Sequence, residues 1–202
     1  MKLRLYLMLP LLFSGLANGS DLQLCTSCHG SALQGDEQQA APLLAGREAW
    51  FLAEQMRAFK KGWRGTGADQ SGAAMRAIAM TLDDKTIDAL SAEIAAMPAP
   101  QASAKKDPSA EITALAAPRY NAVCSACHGS KAQGNKRLKA PALSALSEGY
   151  LLAQINKFRQ GIRGAHPDDK AGAQMRRSAA NIADDKEADA LAQYIRQLSQ
   201  VP

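Results

Sequence analysis

Apolar residues recur at helical spacing in four segments of the chain, two in each half. The first helix is predicted around 50–59, and a second begins at Asp83 or Asp84, which are good N-cap residues. The second half repeats both, with helices over 148–160 and from Asp184 or Asp185 onward. The buried faces of the two later helices are predicted to contain Ile87, Leu90, Ile94 and Met97, and Ala188, Leu191, Ile195 and Leu198. Neither half has an alternating β-branched run, so we predict an all-α chain with loops at 30–46, 62–72 and their counterparts.

The first 19 residues have the pattern of a secretory signal peptide. Lys2 and Arg4 precede an apolar run from Leu5 to Leu16, and small residues follow it. The run is about 12 residues long, shorter than the roughly 20 that a membrane span requires. We therefore expect cleavage near Ala17 or Gly19 and export of the remainder, with an uncleaved N-terminal anchor as the alternative.

The chain contains two copies of one unit. The segment CTSCHG at 25–30 recurs as CSACHG at 124–129, an offset of 99, and the match continues through most of each half. A period near 100 residues is too long for a solenoid repeat, so it indicates tandem domains. We predict a signal peptide at 1–19, a first domain at 20–98, a linker rich in Pro, Ala, Ser and Lys at 99–110, and a second domain at 111–202.

All four cysteines lie in these two boxes. In each box two thiols three positions apart are followed at once by a histidine, which is the attachment signature of c-type haem. A redox dithiol or half of a zinc site would account for either cysteine pair, but not for a histidine directly after both. We predict two covalently bound haem c groups, which also supply apolar bulk to domains with only 5% aromatic residues. The predicted attachment and iron-binding residues are Cys25, Cys28 and His29, and Cys124, Cys127 and His128.

A second axial ligand is predicted from the repeat. The second copy contains a single methionine, Met175, and its repeat partner is Met75; the intervals from the haem histidines are 47 and 46 residues. Met80 has no partner in the second copy. His166 is the alternative ligand in that copy, but no histidine matches it in the first. We therefore predict that Met75 and Met175 complete the iron coordination.

With these motifs in place, each copy resembles a class I cytochrome c domain, and the pair resembles the di-haem cytochrome c4 family. The resemblance rests on the two C-x-x-C-H-G boxes, on APLLAG at 41–46, WFLAEQM at 50–56 and FKKGWR at 59–64, and on their counterparts at 140–143, 150–154 and 158–163. It covers nearly all of the mature chain. It implies an all-α fold of two tandem class I cytochrome c domains, each a small helical fold around one covalent haem.

The resemblance also implies roles for two residue pairs. The carbonyl groups of Pro42 and Pro141 would accept the N–H of the haem-binding imidazole, and Arg64 and Arg163 are candidates to pair with haem propionates. The chain departs from the pattern at one point. Only about five residues would precede Cys25 after cleavage, so the N-terminal helix of the first domain is short.

The predicted ligand set favours electron transfer over catalysis. Histidine and methionine together fill both axial positions, so the iron can change charge by one electron but offers no open site to a substrate. We predict a periplasmic electron carrier that is not an enzyme, taking electrons from a cytochrome bc1 complex or a dehydrogenase and passing them to an oxidase or reductase. The alternatives are the haem subunit of a dehydrogenase complex, such as a flavocytochrome sulfide dehydrogenase, and a di-haem enzyme of peroxidase or thiosulfate-oxidising type.

Charge is divided unevenly between the two copies. The formal net charge of +5, with pI ≈ 9.1, is too weak to indicate nucleic-acid binding. Residues 20–98 carry a net −3, whereas residues 111–202 carry a net +5. We expect a dipolar protein whose second domain meets an acidic face of a redox partner, with peripheral membrane association as a further possibility.

Overall fold

The computed structural model describes residues 19–100 and 109–198, and over these residues it is helical. The first half contains α1 (Gly19–His29), α2 (Ala49–Lys60), α3 (Ala73–Thr81) and α4 (Asp84–Ala96). The second half contains α5 (Ala110–Arg119), α6 (Ser125–His128), α7 (Glu148–Arg159), α8 (Lys170–Ala179) and α9 (Asp185–Leu198). Within the described part, β-structure is limited to isolated bridges at Asp36–Ala41 and Asn135–Ala140. The predicted all-α class is therefore confirmed, while the signal peptide up to residue 18 and linker residues 101–108 lie outside the described residues.

The four helices predicted from periodicity are present, and local chemistry explains where two of them begin. The Asp83 carboxylate accepts a hydrogen bond from Thr86 N at the start of α4 (2.7 Å), and Asp184 accepts one from Glu187 N at the start of α9 (2.8 Å). The apolar faces of both helices are buried, with Ile87 and Leu191 each 1% exposed. The predicted aspartate N-caps are thus found, and so is most of each predicted core face; Met97, at the C-cap of α4, and Leu198 are only partly buried.

Helices α3 and α8 were not predicted. Both are short, and each follows a glycine-containing loop that was predicted to be irregular throughout. They matter because they carry Met75 and Met175. The preceding loop approaches the start of each helix closely: a Cβ on Gly164 would clash with Gly172 O in the first turn of α8, and one on Gly65 would lie 2.5 Å from Gly72 O at the N-cap of α3.

The N-terminal helices of the two halves differ. α5 packs along α9 and then widens into a π-helical turn, Tyr120–Cys124, two residues after Pro118. Tyr120 is fully buried there, and its hydroxyl donates to Gly129 O (2.6 Å). α1 instead reaches the first core through the partly buried Leu22 and Cys25. No helix within the described ranges is long and apolar enough to cross a membrane.

Candidate haem sites

The two box histidines have matching environments. His29 ends α1 and His128 ends α6, and the side chains are only 3% and 4% exposed. His29 Nδ1 lies 2.8 Å from Pro42 O, and His128 Nδ1 lies 2.8 Å from Pro141 O. Because a carbonyl can only accept, each Nδ1 carries the hydrogen and each Nε2 keeps a lone pair for a metal.

Burial keeps both imidazoles neutral. It lowers the pKa of His29 and of His128 below the ordinary value of 6.5, and the hydrogen bond to the proline carbonyl offsets only part of this. A neutral imidazole is the form that coordinates iron, so proton competition for Nε2 is weak at neutral pH.

A single pocket in the second domain collects the residues that the sequence singled out there. Its walls include Cys124, Cys127, His128 and Met175, together with Pro141, Arg163 and apolar side chains such as Leu143, Leu151, Phe158 and Ile195. Burial raises the pKa of the Cys124 thiol to about 11, so this sulfur is uncharged, as it also is in a thioether. The donor set and its apolar surroundings fit a covalently attached haem.

His166, the alternative ligand, lies elsewhere. It is not among the described residues that line this pocket, and its ring stacks on Trp63 of the first domain, with centroids 5.6 Å apart. In the first domain, Met75 is half-buried on α3, whereas Met80 is 56% exposed. Of these two methionines, Met75 is thus the better placed for an internal ligand.

The two arginines meet at the contact between the domains. Arg64 donates to Gln55 Oε1 (2.6 Å) and to Gln154 Oε1 of the second domain (3.4 Å). Arg163 donates to Gln154 Oε1 (2.7 Å) and to Gln55 Oε1 of the first domain (3.2 Å). The result is a four-residue group with approximate two-fold symmetry, which joins the two repeats through equivalent side chains.

Two residues of the first domain that line the second domain's pocket carry a polar group suited to an anion. Trp50 Nε1 and Arg64 Nε are both buried, and neither has a hydrogen-bond partner among the described residues. A buried donor left unpaired is costly, and a carboxylate is the acceptor that would relieve it best. Haem carries two propionate carboxylates, so these orphan donors also fit the haem group.

Other contacts between the domains join acidic groups of the first to basic groups of the second. Lys157 Nζ lies 2.6 Å from Asp69 Oδ1, and Lys139 Nζ lies 2.8 Å from Glu54 Oε1. Part of the charge asymmetry read from the sequence is therefore satisfied inside the molecule. Sequence reasoning missed these ion pairs, because a pairing across two domains leaves no local pattern. It also missed Gln55 and Gln154 as interface residues, although their equivalent positions in the repeat were an available signal.

Comparison with known families agrees with this geometry. The family model described as "Cytochrome c" matches residues 16–98 and again 113–199. The chain belongs to the cytochrome c family. As a tandem pair it is a di-haem cytochrome of the c4 type, with two covalently bound haem c groups and an electron-carrier function.

Two curated cytochromes and one solved structure show the range of its relatives. The thiosulfate dehydrogenase electron acceptor of Stutzerimonas stutzeri (strain A1501) is 33% identical over 183 residues, covering 87% of this chain and 79% of that protein. Cytochrome c4 of Thiocapsa roseopersicina is 30% identical, covering 91% and 90%. The solved thiosulfate dehydrogenase TsdBA from Marichromatium purpuratum superposes with a TM-score of 0.66 at 31% identity. The match includes 85% of this chain but only 36% of that one.

Proposed function

We propose that His29 with Met75, and His128 with Met175, are the axial ligands of the two haems, attached through Cys25 and Cys28 and through Cys124 and Cys127. The observation that carries this proposal is the pocket that gathers both cysteines, His128 and Met175, with His128 Nδ1 oriented by Pro141 O. When bound, haem supplies one-electron chemistry at iron. The histidine and methionine side chains would hold the iron, the apolar lining of the pocket would exclude water, and the proline carbonyl keeps the imidazole hydrogen on Nδ1.

The two-domain layout supports a relay without catalysis of its own. The Arg64, Gln55, Arg163 and Gln154 group joins the domains beside the second pocket, so that the proposed second haem would lie next to the first domain. We infer that the chain acts in the periplasm as an electron carrier and not as an enzyme. We further propose that its two haem domains span residues 20–98 and 111–202.

Its electron donor is proposed to be a periplasmic dehydrogenase. Support comes from the similarity to the thiosulfate dehydrogenase electron acceptor and to part of TsdBA. The cytochrome bc1 complex as donor, and a terminal oxidase or reductase as acceptor, remain part of the proposal. Among donors, a thiosulfate-oxidising dehydrogenase is the first to test, by following reduction of the cytochrome after mixing.

Replacing the methionines tests the ligand assignment. Met75→Leu and Met175→Leu should each remove about half of the methionine–iron absorption band and lower the potential of one haem, because a thioether ligand raises the potential. Met80→Leu is the matched control, since that side chain is exposed and should leave spectrum and potentials unchanged. Retention of the full band in Met75→Leu or Met175→Leu would refute the assignment.

A further inference from the structure

One peptide group connects the first domain to the haem histidine of the second. The carbonyl of the Pro141–Ala142 peptide accepts the His128 Nδ1–H, and the N–H of the same peptide donates to Glu48 Oε1 across the domain interface (2.9 Å). Arg47 donates to Ala142 O, and its Nη2 lies 3.5 Å from Glu48 Oε2. A continuous hydrogen-bonded chain thus runs from the Glu48 carboxylate to the imidazole.

Among the residues that the structure describes, the first domain has no equivalent hydrogen-bonded chain. The equivalent peptide is Pro42–Leu43, and within the described residues its N–H makes no hydrogen bond. The repeat partner of Glu48 is Ser147, which caps its own helix α7 by accepting from Tyr150 N (3.3 Å). Glu48 occupies the N-cap of α2 but makes no side-chain cap there, because its carboxylate is directed to the other domain.

We propose that Glu48 is a positioning residue for the second haem: acting through the Pro141–Ala142 peptide, it strengthens the His128 hydrogen bond and lowers the reduction potential of that haem alone. The inference rests on the proposed iron ligation by His128. Both histidine–proline hydrogen bonds measure 2.8 Å. The two domains therefore differ in what the N–H of the same peptide binds, which is Glu48 in the second domain.

The physical reason is polarisation along a hydrogen-bonded chain. A carboxylate accepting from a peptide N–H moves electron density toward that peptide's carbonyl oxygen, which then accepts more strongly from Nδ1–H. An imidazole whose Nδ1–H is held more strongly is a better donor at Nε2 and stabilises the more positive, oxidised iron. Through this chain of hydrogen bonds, a residue of the first domain would lower the reduction potential of the second haem without contacting its iron.

The test uses the intact di-haem protein and three variants. Glu48→Gln keeps an acceptor for Ala142 N–H and removes the charge, whereas Glu48→Ala removes both. Glu54→Gln is the matched control, because it neutralises another interdomain glutamate, paired with Lys139, that does not touch the Pro141–Ala142 peptide. The readouts are a spectroscopic redox titration of both haems and the ¹H chemical shift of each histidine Nδ1–H in the reduced protein.

We expect Glu48→Ala to raise the potential of the second haem and to move the His128 Nδ1–H resonance upfield, with a smaller effect of the same sign in Glu48→Gln. The equilibrium share of electrons should shift toward the second haem by about threefold, a fraction of the effect of removing a ligand's direct partner. The chemical shift of His29 Nδ1–H and the reduction potential of the first haem should not change.

Two results would overturn the inference. One is an unchanged His128 Nδ1–H resonance in both Glu48 variants; the other is a shift in Glu54→Gln as large as in Glu48→Gln, which would assign the effect to charge through space. Failure of the underlying ligation would look different. The wild-type His128 ring would then lack the large ring-current shift of an iron ligand before any substitution is made.

Discussion

At the scale of single residues, two arginines concentrate positive charge where the domains meet. The Arg64 guanidinium lies 4.1 Å from the Phe59 ring centroid, and that of Arg163 lies 4.3 Å from Phe158. Burial, and then the charge of Arg64, lowers the pKa of Arg163 to about 9. Two like charges this close are favourable when an anion lies beside them, and haem propionates would provide it.

Removing one of these charges should make a haem harder to reduce. Arg64→Gln is expected to lower the potential of at least one haem by the equivalent of about 1 kcal/mol, because a nearby cation stabilises the added electron. Arg57→Gln is the control, since Arg57 pairs with the exposed Asp88 (2.7 Å). A redox titration checks this, and equal effects of the two variants would argue against a specific role for Arg64.

At the scale of elements, the pairing of α5 with α9 distinguishes the second domain. Arg119 Nε lies 2.8 Å from Glu187 Oε1, and Glu187 Oε2 accepts from Ala183 N (2.6 Å). Burial would raise the pKa of Glu187, but these hydrogen bonds outweigh it and the pKa lies below its ordinary value. One carboxylate thus fixes the start of α9 against the end of α5, just before the π-helical turn that leads to Cys124.

Loss of that carboxylate should destabilise the second domain. Glu187→Ala is expected to lower the free energy of unfolding by about 2 kcal/mol, because Arg119 and Ala183 N–H lose a largely buried partner. Asp185→Ala, in the same helix turn, should cost less than about 0.5 kcal/mol, since the Asp185 side chain is 93% exposed in its ion pair with Arg159. Denaturant unfolding followed by haem absorbance compares them; equal losses would contradict the assignment.

At the scale of the whole molecule, the domains are held by opposite charges as well as by the arginine–glutamine group. Asp69 is 1% exposed and receives hydrogen bonds from Lys157 Nζ (2.6 Å) and Gly65 N (2.8 Å). Burial would raise the pKa of Asp69, but these partners lower it below the ordinary 3.8. Because the folded pKa is lowered, this contribution is complete above the unfolded pKa and is lost as the pH falls through the folded one.

Lowering the pH should therefore weaken the contact between the domains, and the Asp69→Asn variant tests this. At neutral pH, Asp69→Asn is expected to cost about 3 kcal/mol, because Lys157 keeps its charge and loses its partner. The difference from wild type should shrink between about pH 5 and pH 2 as Asp69 in the wild type takes up a proton. Thermal unfolding over this range provides the measurement, and a difference independent of pH would contradict the explanation.

Charge also governs the expected encounter with partners. Lys139 and Lys157 face the first domain, but the second domain retains exposed basic residues on α8, including Arg176 and Arg177. Association with an acidic redox partner should slow as ionic strength rises. Arg176→Gln combined with Arg177→Gln should reduce both the rate and its salt dependence; a rate unaffected by salt in the wild type would end this prediction.

The sequence by itself determined the chemistry and the helical framework. The C-x-x-C-H spacing fixes which thiols and which imidazole can reach one porphyrin, because all three groups lie within five consecutive residues. The repeat at an offset near 100 then singled out Met175 and Met75, and the 3.6-residue period located α2, α4, α7 and α9. Helices α3 and α8 were not predicted because they are only nine and ten residues long and directly follow glycine-containing loops.

Only the tertiary structure decided how the two copies differ in use. The near-identical boxes predict equivalent sites, yet Glu48 of one copy contacts the peptide behind His128, while Ser147 of the other caps its own helix. Likewise, Asp69 and Lys157 are 88 residues apart in the chain and meet through domain packing alone. Contacts of this kind depend on the relative placement of two folded units, and no local pattern of residues encodes that placement.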